Sequence, residues 1–297
     1  MKKRLMALLL CMVMVFSVTA CGSKKLPSDP AELMKVANKS MQDVKSMSVK
    51  ANVNLDMKQG EEAVSATMEL NMDMLEKDDT YKAKIDATVN MQELGAAQTI
   101  TMYMAPEGDK YYIYMGVLGQ WMKMEYDMAS VMNAEKNAEQ SEDFLGSSAE
   151  NFTVSDITND EGIEVKNIEG TMSADTLKEL FTKALETTKD VEGVDAASLE
   201  QVKTIAENCM ADISMTYQVD KKSTHIVGMS MDLTEFAQKV MSYATEMMGD
   251  AADSVSGLEI NNLNFTGTFS NFDEVEDFEI PEEALNAQDM SDTSIVE

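Results

Sequence analysis

Ser48-Val49-Lys50-Ala51-Asn52-Val53-Asn54-Leu55-Asp56-Met57 alternates without a break. Val49, Ala51, Val53, Leu55 and Met57 share one parity, and Ser48, Lys50, Asn52, Asn54 and Asp56 share the other. Successive side chains of a strand point to opposite faces, so this stretch predicts a strand with one buried and one solvated face. The pattern repeats at Val64, Ala66, Met68, Leu70, Met72 and Met74, beyond a Gln59-Gly60-Glu61-Glu62 turn. It repeats again at Tyr81, Ala83, Ile85, Ala87, Val89 and Met91, beyond Glu76-Lys77-Asp78-Asp79. Three such runs joined by polar turns are consecutive hairpins, hence an antiparallel meander. Shorter strands are predicted at 99–105, 110–115 and 120–126, punctuated by Pro106-Glu107-Gly108 and Gly116-Val117-Leu118-Gly119.

On the N-terminal side, Asp29-Pro30-Ala31-Glu32 is a helix start, with a capping carboxylate and proline in the first helical position. Leu33, Val36, Ala37, Met41 and Val44 then fall on one face. On the C-terminal side, 127–139 reads as a weak helix and 140–150 as an acidic loop rich in small residues. A strand over 162–172 follows, and the spacing of three between Val165 and Ile168 predicts a bulge at Lys166-Asn167. Ser173 caps an amphipathic helix bearing Leu177, Leu180, Phe181, Ala184 and Leu185. Asp195 opens another, bearing Leu199, Val202, Ile205, Ala206 and Cys209. Ala211 to Val219 and His225 to Leu233 form a hairpin across Asp220-Lys221-Lys222-Ser223. Thr234 caps a helix with Phe236, Val240, Met241, Ala244 and Met247, and the last strand, 257–269, changes phase near Asn261-Asn262.

About ten or eleven strands with one apolar face each need a cover, and the one-sided helices are what the chain offers. The expected fold is α+β: a large curved antiparallel sheet, an unclosed half-barrel, with helices packed on its concave face. An outer-membrane barrel also alternates, but it has no use for amphipathic helices. No linker rich in Gly, Pro or Ser interrupts the chain between Ala31 and Pro281, so residues 29–285 are expected to form one domain and 286–297 an acidic tail.

The first 20 residues read as a secretion signal. Lys2, Lys3 and Arg4 are its positive region, Leu8 to Val15 its apolar region, and Val18-Thr19-Ala20-Cys21 its cleavage site. The uncharged stretch is too short for a comfortable membrane span. Residues 21–28 then form a short tether. Without the signal, 21 basic residues face 53 acidic ones, a net charge of −32. That excludes a nucleic-acid partner, which requires clustered Lys and Arg. Cys209 is the only cysteine left outside the signal and Cys21, so apolar packing rather than disulfides must hold the core.

Several of these features together resemble a known group: the Val18–Cys21 motif; the opening helix running into a methionine-rich strand, Met41 to Met57; Tyr111-Tyr112-Ile113-Tyr114-Met115 followed by Trp121-Met122-Lys123-Met124; the Val219-Asp220-Lys221-Lys222 hairpin; and the closing Ile280-Pro281-Glu282-Glu283-Ala284. The chain resembles uncharacterised Gram-positive-type lipoproteins placed with the LolA and LppX-like proteins, whose fold is an unclosed barrel with helices on its concave side. The resemblance implies lipidation at Cys21, an extracytoplasmic site on the bacterial cell membrane, and a hydrophobic ligand held between sheet and helices. It carries over no catalytic residue.

Met72 and Met74, Met102 and Met104, Met122 and Met124, and Met229 and Met231 are spaced by two, so each pair points to one face. Three readings fit: gap filling in a core, a deformable lining for an apolar ligand, and soft-metal binding of copper(I). The last would be expected to recruit His or Cys, and the chain has one His. His225 reads as a core or rim histidine, and Cys209 as a small buried hydrophobe. No hydrolase elbow, zinc-protease helix, phosphate loop or dinucleotide fingerprint occurs, so no enzyme, metal or cofactor is expected.

The expected function is binding or carriage of a lipid or other hydrophobic molecule. The cavity candidates are Met68, Leu70, Met72, Ile85, Met102, Met215, Met229, Met231 and Leu233 of the sheet, with Leu199 and Val202 of the helical lid. The alternative is an envelope module with a filled core and an acidic surface that recognises a protein partner. Cys21→Ser should abolish labelling by radioactive palmitate and partition into detergent, since two or more acyl chains anchor stably. Unchanged labelling would refute acylation at this residue.

Overall fold

A computed structural model describes residues 26–60, 62–78, 80–91, 97–108, 110–126, 149–188, 196–248 and 257–290. The expected helix at 127–139, most of the loop at 140–150, the Asp195 helix start and the Val18–Cys21 motif lie outside the described residues.

The alternating runs form strands as expected. β1 (Ser46–Gln59), β2 (Glu62–Lys77), β3 (Thr80–Met91), β4 (Gln98–Glu107), β5 (Lys110–Val117) and β6 (Gln120–Tyr126) make one hairpin-linked meander. β7 (Phe152–Thr158), β8 (Glu164–Met172), β9 (Ile213–Asp220), β10 (Ile226–Asp232) and β11 (Leu258–Ser270) make a second. The two join where β1 pairs with β11, and a two-residue β12 (Gln288–Asp289) lies parallel to β6. The result is one open sheet of twelve strands, ordered β12-β6-β5-β4-β3-β2-β1-β11-β10-β9-β8-β7. All other pairings are antiparallel.

Among the described residues five α-helices accompany it: α1 (Pro30–Gln42), α2 (Ala174–Thr188), α3 (Ala196–Cys209), α4 (Thr234–Met248) and α5 (Glu282–Leu285). Asp29 caps α1 by accepting the Glu32 N–H at 3.0 Å, with Pro30 opening the first turn. Ser173 caps α2, its Oγ accepting the Thr176 N–H at 3.2 Å. Thr234 plays another part than the expected cap. Its hydroxyl accepts the Leu263 N–H at 3.0 Å and ties α4 to β11, while Asp232 accepts the Thr234 N–H at 2.9 Å.

Several expectations are corrected. The sheet gains β7, which reasoning from alternation missed. β8 has no bulge at Lys166-Asn167, because its ladders to β7 and β9 run unbroken through both residues. Val165 instead turns to the polar face opposite Ile157, and Lys166 lies buried on the apolar face with its ammonium 2.9 Å from Asp156. A bulge that was not expected falls in β10, between Ile226 and Gly228. The phase change expected in the last strand is present, as a register shift at Asp56/Met57 opposite 260–262. Ile205, Ala244 and Met247, expected to face inward, are exposed, Met247 by 71%.

Beyond β11 the chain straps itself across the outside of the first meander. The Asp273 N–H reaches Ser46 O at 2.8 Å, and its carboxylate accepts the Lys45 N–H at 2.6 Å. Asp277 then sits between Lys77 and Lys82, at 3.0 and 2.7 Å. Phe278, Ile280 and Ala284 cover Tyr103, Tyr112, Tyr114 and Trp121, making a second core on the face of β4–β6 that elsewhere is polar. The Trp121 indole lies on Gly116, where a Cβ would stand 2.9 Å from the ring, so this close approach requires glycine. Tyr114 is fully buried; its hydroxyl donates to Glu107 at 3.3 Å, and burial pushes its pKa up to about 12.

Lys82 and Lys77 hold the exposed Asp277 carboxyl down at about 2. That is below its unfolded value of about 3.9, so the tether stabilises the strap above pH about 4 and is lost as pH falls through 2. Trp121, the only tryptophan, reports the change. Its emission should shift to the red between pH 4 and 2, and Asp277→Asn should already show part of that shift at pH 7. Superimposable curves for the two proteins would contradict the tether.

Candidate functional site

Register settles which apolar side chains stand together. On the β7–β11 half of the apolar face, Leu33, Met34, Ala37 and Met41 of α1 pack into a core with Phe152, Ile168, Met215, Tyr217, Met229, Met231 and Phe269, each at most 8% exposed. Leu177 and Leu180 of α2 and Leu233 flank this core. A hollow between α1 and the sheet, lined by Met34, Phe152, Ile168 and Tyr217, is about 10 Å³, room for at most one water. This half is filled.

The other half differs. Cross-strand pairing lines up Met72, Ile85, Met102, Met115 and Met122 in one row across β2 to β6. A second row runs Met74, Ala83, Met104, Ile113 and Met124, and a third Leu70, Ala87, Ile100 and Val117. Met68 stands opposite Val89. No charged side chain interrupts these rows. Five strands at about 4.8 Å spacing make an apolar ribbon roughly 19 Å across. Ala83, Ile85 and Ala87 are buried at its floor, whereas Met68, Leu70, Met72, Met102, Met104, Ile113 and Met115 are half-buried and Met122 is 39% exposed. Among the described helices, the one that packs closely on β5 and β6 is α5, which belongs to the strap on the opposite face.

A wider hollow of about 470 Å³ opens on the polar face of β8–β11 and β1, lined by hydroxyls, amides and the carboxylates of Glu169 and Asp232. Hydrogen bonds from Thr234 keep the Asp232 carboxyl below the usual range. Burial pushes the Cys209 thiol up, so it stays protonated and unreactive. His225 lies against Phe272, ring centres 4.4 Å apart, with its Nδ1 buried and unpartnered; burial lowers its pKa and keeps it neutral. Among the described residues no group of three or more His, Cys, Asp or Glu is placed to hold a metal. No described helix is long and apolar enough to cross a membrane.

A family model described as a family of unknown function, DUF6612, matches residues 29–289. The chain belongs to the DUF6612 family. No curated protein matches it. Among solved structures, it is similar to the crystal structure of a DUF1329 family protein from Desulfovibrio piger, at 9% identity and a TM-score of 0.23. That likeness covers 86% of this chain and 96% of the other, and is too loose to carry an argument about function.

In this DUF6612 chain the sequence-derived candidates divide between the two halves. Met68, Leu70, Met72, Ile85 and Met102 lie on the open ribbon. Met215, Met229 and Met231 lie in the filled core, with Leu233 packed against it. Val202 is half-buried on α3, and Leu199 is in the same helix with its side chain outside the described residues. Sequence reasoning did not select Met104, Ile113, Met115, Met122 and Met124; their parity was visible, but only register shows that they continue the rows. Truncation should separate the halves. Met231→Ala should cost about 2–5 kcal/mol in urea unfolding, as a cavity in a packed core does, and Met72→Ala about 1–2 kcal/mol. Equal losses would mean that both faces are filled.

Proposed function

We propose that this protein is a membrane-anchored extracytoplasmic lipoprotein that binds a lipid or another apolar molecule along the methionine ribbon of β2–β6 and performs no chemistry on it. The observation that supports this reading most directly is the ribbon itself: an uncharged, half-buried apolar surface beside a half whose equivalent surface is filled by α1. Large exposed apolar surfaces on a folded chain mark binding sites. Methionine suits such a surface, since an unbranched, polarizable side chain repacks around different guests. The absence of charge along the rows selects acyl or other hydrocarbon parts of a ligand and leaves any polar head outside.

The anchoring part of the proposal rests on the Val18–Cys21 motif. Eight residues lie between Cys21 and the start of α1 at Pro30, a span that reaches at most about 32 Å, so an acylated Cys21 would keep the ribbon close to the bilayer. The acidic exterior opposes tight contact with anionic head groups.

Residues 22–297 purified without detergent should show discrete extra masses in native mass spectrometry, which extraction resolves into acyl species. Met72→Glu with Met102→Glu should remove them, whereas Asn71→Glu on the polar face should not. A clean unliganded mass that no added lipid changes would overturn the proposal and favour the packed envelope module.

A further inference from the structure

One corner of the ribbon is unusually rich in sulfur. On β4, β5 and β6 the two central rows hold six positions, Met102-Met115-Met122 and Met104-Ile113-Met124, and five of the six are methionine. Met102 stands directly opposite Met115, and Met115 directly opposite Met122. Side chains opposed in this way on antiparallel strands have Cβ atoms about 4.5–5.5 Å apart. Three thioethers carried on flexible stems thus emerge side by side from one face.

Gap filling does not account for them. In the β7–β11 half, methionines fill a core closed by α1 and are nearly fully buried, but Met102 and Met115 are half-buried and Met122 is 39% exposed. The thioethers of this row are thus reachable by an ion arriving from solvent, Met122 most of all. The surroundings choose the ion: no carboxylate, imidazole or thiolate stands in these rows, so hard cations and zinc find no ligands, whereas thioethers select copper(I).

From this juxtaposition we propose that Met102, Met115 and Met122 form a trigonal thioether site for a soft monovalent cation, copper(I) or silver(I), with Met104 and Met124 as reserve ligands. The site goes beyond the apolar-ligand reading and occupies one end of the same ribbon. Binding requires no redox step, since the ion is taken up already as the monovalent species.

The test uses the full chain carrying Cys11→Ser and Cys21→Ser, leaving buried Cys209 as the one thiol. Anaerobic titration with copper(I) against a chromophoric copper(I) chelator should show one equivalent bound, with sulfur-only coordination in X-ray absorption. The triple variant Met102→Leu, Met115→Leu, Met122→Leu keeps volume and apolarity but lacks thioethers, and should bind at least tenfold more weakly. Each single leucine variant should lose part of that affinity, and Met229→Leu with Met231→Leu should lose none. Circular dichroism checks that each variant is folded. Failure of the parent to bind copper(I), or full binding by the triple variant, would overturn the site. Met68→Glu with Leu70→Glu, at the opposite end of the ribbon, should remove bound lipid while copper(I) binding persists, which separates this site from the apolar-ligand reading.

Discussion

The ladder between β1 and β11 makes the molecule one sheet rather than two. Ser48 pairs with Ser270 and Gln59 with Leu258, across about two hundred residues of chain. β1 is simultaneously zipped to β2 along its whole length, so it is the spine on which both meanders hang. A slip of one residue in this ladder would turn all five strands of the second meander inside out relative to the first. The register prevents it by setting Val49 against Phe269, Ala51 against Gly267 and Val53 against Phe265 on the apolar side, and the shift near Asn261 absorbs the remaining mismatch. Contacts of such long sequence separation are costly to form, so the seam is expected to close late in folding, after the hairpins on either side exist.

With the seam fixed, connectivity decides which half is covered. Hairpin turns link most of the first meander, and α1, which precedes it, packs over the second. Helices α2 and α3 lie in the β8–β9 connection and α4 in the β10–β11 connection, so among the described connections the long crossovers belong to the second meander. The described helical cover therefore gathers on the β7–β11 half, where α1 and α2 complete the core. None of the described helices packs closely on the apolar side of β2–β6, whose methionines are mostly half-buried.

This division explains what was legible in the sequence. A period of two shows in each long strand, because its residues have one buried face, and the α+β class with an open antiparallel sheet follows from it. β7 escaped because Asp156 occupies an apolar-face position that pairs with Lys166, which breaks the alternation. The bulge expected in β8 came from counting Val165 as inward, whereas it is buried on the other face. Local pattern shows the hairpin neighbours but not the residue register between strands, nor the β1–β11 pairing that joins the meanders. The candidates therefore mixed Met229 and Met231 of the filled core with Met72 and Met102 of the ribbon, and only register shows that Met115 and Met122 continue the row of Met72 and Met102.

Two faces of the same three strands carry opposite solutions to the problem of a partner. On one face of β4–β6 the partner is permanent, the C-terminal strap, and the residues are Tyr103, Tyr112, Tyr114 and Trp121: rigid rings with few rotamers, tilted against one another at centroid distances of 5.9 to 6.4 Å and closed by Phe278. Rigid rings lose little conformational entropy and fit one shape well. On the other face they give way to methionine, whose extra rotatable bonds make it a poor choice for a fixed fit and a good one for a changing fit. Both faces are apolar and come from the same alternating segments, so β-propensity or hydrophobicity alone cannot account for the exchange of rings for thioethers. The difference follows the permanence of what lies on top: rings where the chain supplies its own cover, and deformable sulfur-bearing side chains where the described helices supply none.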